Sequence, residues 1–268
     1  MKIWFKIMGL LAFFFGSYLA SYIIVAMFYE FAYEVNIFEN NKLEVEMALV
    51  GDTLFCLILI GFVFWRRRRL AESCHFEKPK TSVFFVTIPL AICLNLFLTF
   101  VMPFVPLDES AIEMQEMFKP FLEAPLWMQI LILGVFAAVN EELMMRGLIF
   151  HELRRKMPII VAVVVQGTLF GLLHMNLFQV AYAAPMGILL GFIYVWTRSI
   201  WITMSIHFFN NLTSTLLSNY VAEDISGSII YSIFFFVLTI VFIVWLYRLQ
   251  FADRTVATMT NEKEAASI

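Results

Sequence analysis

The chain has 268 residues, of which 62% are hydrophobic and only 15% charged, with 30 phenylalanines and a formal charge of −3. An ordinary soluble domain is about half apolar and about a quarter charged, so this composition excludes a water-facing fold and makes lipid the solvent. No basic patch points to nucleic acid, and Cys56, Cys74 and Cys93 lack the spacing of a disulfide framework or a zinc ribbon.

Eight segments are apolar and long enough to cross a bilayer at roughly 20 residues per helix. In chain order they are Trp4–Tyr29, Met47–Trp65, Ser82–Pro106, Pro125–Phe150, Pro158–His174, Leu177–Trp196, Ile200–Leu217 and Ser228–Tyr247. The first is too long for a signal-peptide core and lacks an A-x-A site, so it reads as a retained anchor. The fifth is short and its link to the sixth is tight. Between the third and fourth spans, Asp108–Ala124 suits an amphipathic surface helix. The chain is thus expected to be an all-α, polytopic integral membrane protein forming one domain over 1–268, with its polar core over 125–219 and a disordered cytoplasmic tail over 251–268.

The lysines and arginines set the orientation. With the N-terminus inside, 15 of the 18 fall on the cytoplasmic side, including Lys2, Lys6, Arg66 to Arg69, Arg154 to Lys156, Arg198 and Arg248. Only Lys42 and Lys119 fall outside, while Arg146 lies within the fourth span. Eight crossings place both termini in the cytoplasm.

Ionisable groups inside a membrane helix are costly, so each is a functional candidate by default. They are concentrated: Glu141, Glu142 and Arg146 on the fourth span, His174 at the end of the fifth, and His207 on the seventh beside Asn210 and Asn211. Asp52 reads instead as an interfacial residue near the outer end of the second span. Residues four apart share a helix face, so Glu142 and Arg146 are predicted to pair, Phe170 to join His174, and His207 to join Asn211. Glu141 points about 100° away from Glu142 and lacks the Arg146 partner. Glu141 and His174 lie about equally far from the turn at Lys156, roughly 22 to 26 Å, and so face each other in a helical hairpin. His207 and Asn211 lie somewhat shallower. The four are expected to line one cavity opening to the cytoplasm.

A carboxylate beside an imidazole can hold and deprotonate water, and a second His with an Asn can donate to the oxyanion of a tetrahedral intermediate. Those groups have the parts for amide hydrolysis, and the Glu and His side chains also suit a divalent metal such as zinc. His151-Glu152 is no H-E-x-x-H motif, because Arg155 occupies the last position. His75 sits in a cytoplasmic loop as a solvated residue. Gly167 with Gly171, and Gly187 with Gly191, have the G-x-x-x-G spacing that lets helices approach closely.

These residues resemble the CPBP family, which comprises type II CAAX prenyl endopeptidases and bacterial Abi-type bacteriocin-immunity proteins. Its E-E-x-x-x-R motif stands as Glu141-Glu142-Leu143-Met144-Met145-Arg146, its F-x-x-x-H as Phe170 to His174, and its H-x-x-x-N as His207 to Asn211. An aromatic often precedes the Arg in the family; here it is Met145. The resemblance implies an intramembrane endopeptidase in which Glu141 and His174 activate water while His207 and Asn211 stabilise the oxyanion. Glu142, Arg146 and Phe170 support them, and Glu141, His174 and His207 are the ligands if a metal takes part. The substrate is then a peptide or protein at the membrane, lipidated or not. A short chain without organellar signals fits a bacterial plasma membrane. Two alternatives stand beside it: a non-catalytic immunity or partner-binding membrane protein, and a proton-coupled transporter using the Glu/His cluster as a relay.

Overall fold

The computed structural model of the chain describes residues 3–33, 41–70, 78–221 and 227–265, with the side chains of 33, 41–42, 66–70 and 252–265 set aside. Cys74 and His75 lie outside the described residues. The fold is all-helical: α1 Ile3–Tyr33, α2 Asn41–Leu70, α3 Thr81–Val101, α4 Asp108–Leu122, α5 Leu126–Arg154, α6 Ile159–Leu172, α7 Leu177–Thr197, α8 Ile200–Tyr220 and α9 Ile229–Ala265. Among the described residues there is no strand. The surface helix expected over Asp108–Ala124 is α4.

The boundaries of α5, α6 and α7 have local causes. Pro125 and Pro158, both with φ near −55°, immediately precede α5 and α6, where a fixed φ and a missing N–H cost least. The Asn176 side chain caps α7 by accepting from Gln179 N at 3.0 Å. Met175 and Arg198 adopt left-handed φ values of 54° and 51° at the turns that enter and leave α7. The tail after 251 was expected to be disordered, yet α9 runs on to Ala265. Extending a formed helix adds one hydrogen bond per residue fixed and needs no new nucleus.

Among the described residues, six helical segments are long and apolar enough to cross a membrane: Ile3–Ala32, Leu43–Trp65, Thr81–Phe104, Leu126–Arg154, Leu177–Thr197 and Ile229–Phe251. Of the eight expected spans, α6 falls short at 14 residues, about 21 Å against a hydrocarbon thickness of about 30 Å. α8 is long enough, but it carries His207, Asn210, Asn211 and several hydroxyls.

α5 occupies the centre, touching α1, α2, α6 and α8, while α3 packs between α8 and α9 and α6 packs along α7. The core holds Leu59, Leu90, Met144, Ile149, Leu153, Leu190 and Tyr194. The outward faces of α1 and α9 leave Phe5, Phe28, Phe31, Ile230 and Phe234 exposed, as a lipid-facing surface should. Apolar side chains gain little by leaving lipid for each other, so close packing and polar bonds must hold such helices together. The α6–α7 seam shows the first device. A Cβ at Gly167 would come within 2.4 Å of Ile188 N, and one at Gly171 within 2.6 Å of Ala184 Cβ.

Candidate active site

The site is built on α5. Two π-helical stretches, Ile130–Phe136 and Leu143–Ile149, flank a short α-helical turn, Ala137–Glu142. The wider i→i+5 turns are rare and occur mostly where function needs a backbone out of register. Glu141 and Glu142 end the α-helical turn between them.

Glu142 and Arg146 pair as expected. Arg146 Nη1 donates to Glu142 Oε1 at 2.7 Å, with both side chains fully buried. Arg146 Nη2 donates to Gly187 O at 2.7 Å, and Gln166 Nε2 donates to the same carbonyl at 2.9 Å. A Cβ at Gly187 would meet Phe170 at 2.8 Å and Gly167 O at 2.9 Å, so glycine is what opens that carbonyl to the guanidinium. The guanidinium also lies 5.4 Å from the centre of the Phe170 ring, within cation–π range. Phe170 meets His174 and His207 edge to face, at 5.1 and 5.8 Å between ring centres. One ring thus touches all three motifs.

Glu141 lacks Arg146 but is not isolated. His207 sits between the two carboxylates, with Nδ1 at 3.1 Å from Glu142 Oε1 and Nε2 at 3.6 Å from Glu141 Oε2. Carboxylates only accept, so His207 Nδ1 donates to Glu142, and Nε2, facing Glu141, can serve there only as a donor. The His174 Nδ1 lies 2.9 Å from Phe170 O. A carbonyl only accepts, so the His174 Nδ1 is protonated and its Nε2 is free for another partner.

Glu141 and His174 line the same cavity, of about 240 Å³. Phe14, Phe15 and Tyr18 of α1, Phe55 of α2 and Phe170 of α6 supply its aromatic wall. Glu141, with its side chain 30% exposed, sits next to the midpoint of Leu126–Arg154, and Tyr18 is near the midpoint of Ile3–Ala32. The cavity therefore lies halfway along its helices. His207 and Asn211 were expected to line it too, but they do not. His207, 2% exposed, is turned back to compensate the buried Glu142. Asn211 donates from Nδ2 to Leu133 O at 2.9 Å, joining α8 to the π-helical stretch of α5.

Two lining residues escaped the sequence reading. Asp52 is 8% exposed and faces the cavity near the midpoint of Leu43–Trp65, not the outer interface. The span begins at Leu43, four residues earlier than expected, and this places Asp52 deep in it. The neighbouring Glu44 and Glu46 disguised that start. Asn140 also lines the cavity, and its Oδ1 has no hydrogen-bond partner. Away from the cavity, His151 Nε2 lies 3.1 Å from the Tyr194 hydroxyl and Glu152 pairs with Lys6 at 3.4 Å; both roles are structural. Among the described residues no three of His, Cys, Asp and Glu converge as metal ligands.

Residues 123–213 match the family model of the Rce1-like proteins, type II CAAX prenyl endopeptidase Rce1-like. No curated protein and no solved structure matches the chain. The match spans all three motifs and stops short of α1 to α3. Residues 123–213 of this polytopic helical membrane protein, from just after α4 into α8, are thus similar to the type II CAAX prenyl endopeptidases.

Proposed function

We propose that the protein is an intramembrane endopeptidase that hydrolyses a peptide bond with a water held by Glu141 and His174. The carrying observation is that these two residues, from α5 and the end of α6, line one cavity at the middle of the membrane-spanning helices. Glu141 is acceptor-only when ionised, and the His174 Nε2 presents a lone pair, so one water can donate to both. Glu141 takes a proton from that water as the oxygen bonds to the peptide carbonyl carbon. The His207 Nε2–H stabilises the oxyanion that forms. Asn211 has one amide N–H left after its bond to Leu133 O and is the second donor. The C–N bond then breaks as Glu141 returns the proton to the leaving nitrogen, giving a free acid and a free amine.

Arg146 and Glu142 act on this sequence only through His207, whose Nδ1 they hold. A metal bound by Glu141, His174 and His207 would instead supply Lewis-acid chemistry, but these side chains are not gathered as a ligand set. The substrate is a membrane-borne peptide or protein, and a lipid chain on it suits the aromatic wall. With the Lys/Arg distribution placing both termini in the cytoplasm, we assign the protein to a bacterial plasma membrane. The test is peptide hydrolysis by purified protein, with and without chelator, beside Glu141→Gln. Turnover that persists in chelator and vanishes in the variant supports the glutamate mechanism. Turnover lost to chelator and restored by zinc supports the metal one, and an equally active Glu141→Gln overturns both.

A further inference from the structure

The cavity has a second polar corner that the hydrolytic scheme does not use. Asp52 of α2 faces it, and Asn140 lines it one residue before Glu141. Tyr22 is a hydrogen-bond partner of Asp52, the Glu141 carboxylate acts on it electrostatically, and the other residues lining the cavity beside it are mostly apolar and aromatic. The Tyr22 contact is built into the fold: the Tyr22 ring lies 3.1 Å from where a Cβ on Gly51 would stand, so glycine at 51 lets the ring lie flat on α2 beside Asp52. The Tyr18 ring is 4.7 Å from Tyr22 and 5.3 Å from Phe55.

A carboxylate offers about four lone-pair sites, and one phenol hydroxyl fills one of them. Asn140 is 5% exposed, and its Oδ1 is buried without a partner. Among the described lining residues none is Lys or Arg, and Arg146 is committed to Glu142 and Gly187 O. The corner therefore presents acceptors and aromatic faces and lacks a donor-rich cation. A buried carboxylate at this depth calls for a partner, and an ammonium or guanidinium satisfies the acceptors while its stem and charge rest on the rings.

We infer that Asp52, with Asn140, is a specificity-determining corner that binds a cationic side chain or amino group of the peptide substrate. The inference rests on the endopeptidase reading above. It assigns to α2, outside the family match, the selection of what α5 and α6 cleave.

Short leucine–alanine peptides carrying one lysine at successive positions, each compared with its norleucine counterpart, test this. Norleucine keeps the stem and removes the ammonium. In wild-type protein lysine should exceed norleucine by about tenfold in kcat/KM at one position, mainly through KM. Asp52→Asn should bring that ratio near one, Asp52→Glu should keep part of it, and the lipid-facing change Leu57→Ala should leave it intact. Asp52→Leu, which suits an apolar helix, takes the place of Asn if that variant does not fold. A wild-type ratio of one at every position, or a ratio that survives loss of the carboxylate, overturns the inference and leaves the peptidase reading standing. If wild-type cleaves none of the peptides, their binding to Glu141→Gln protein in EDTA, with and without Asp52→Asn, decides. Lysine-dependent binding that needs Asp52 supports the corner although hydrolysis has failed, and equal binding of both peptides overturns it.

Discussion

In α1 and α2 the serine and threonine hydroxyls bond within their own helix, Ser17 Oγ to Phe13 O at 2.6 Å, Ser21 Oγ to Ser17 O at 2.8 Å and Thr53 Oγ1 to Leu49 O at 2.7 Å, while Tyr22 and Asp52 bond across the two. From α5 to α8 threonine hydroxyls also bond within their own helix, but further polar bonds cross between helices. Arg146 and Gln166 reach Gly187 O, His207 reaches Glu142, Asn211 reaches Leu133 O, and Gln129 and Asn219 exchange bonds at 2.7 and 3.3 Å. Own-helix bonds satisfy a hydroxyl without fixing the helix against a neighbour. Crossing bonds fix register, and lipid offers no substitute for them. α1 and α2 meet mainly through rings, with Phe13 and Phe62 4.1 Å apart and Phe14 and Phe55 5.0 Å apart. A ring contact tolerates sliding that a buried ion pair does not. The cavity thus has one wall fixed by bonds that cross between helices and another held mainly by ring contacts.

Substitutions can break or sharpen that contrast. The largest effect should come from Glu141→Gln, which keeps size and hydrogen bonding but cannot accept a proton. Turnover should fall by at least about 10²–10⁴-fold with folded yield unchanged, as read by initial rates at matched monodisperse concentration. Arg146→Ala should cost about 3–5 kcal/mol by leaving the buried Glu142 without its guanidinium and with only His207 beside it. It should appear as lost folded protein in detergent before any loss of specific activity. Asn211→Ala should lower kcat by about 10²-fold, the lower end for one oxyanion donor, because one amide N–H is already engaged. A parallel fall in thermal midpoint would assign Asn211 to the α5–α8 seam alone. Gly167→Ala should destabilise by about 1–3 kcal/mol, since the new methyl meets the backbone of α7. On the other wall, Leu57→Ala, at a position 63% exposed, should change stability by less than about 0.5 kcal/mol. A large loss there would mean that α2 is held as rigidly as α5.

The helices were legible in the sequence because apolar runs of membrane length have few other uses. The Glu142–Arg146 pair was legible because i, i+4 neighbours must meet on a helix, and it forms even within a π-helical stretch. The placement of His207 was not. Helical spacing fixes a direction along one helix, but which of two carboxylates an imidazole chooses depends on how helices rotate against each other. Asp52 was hidden by a span boundary. A shift of four residues in the start of the second span separates an interfacial aspartate from one near its middle. Hydropathy alone also passes over α6 and α8, one too short and the other too polar, although His174 and His207 lie on or next to them.

The brevity of α6 bears on how the protein is made. Fourteen residues are too few to be stably inserted as an independent transmembrane helix. α6 must therefore enter the bilayer together with α7, as a hairpin whose turn carries Met175 in a left-handed conformation and whose seam is closed by Gly167, Gly171, Gly187 and Gly191. Biosynthesis then delivers His174 to mid-membrane already mated to its neighbour, and a bulky residue at any of those four glycines would act first as an insertion defect, during translation, before an active site exists to be damaged.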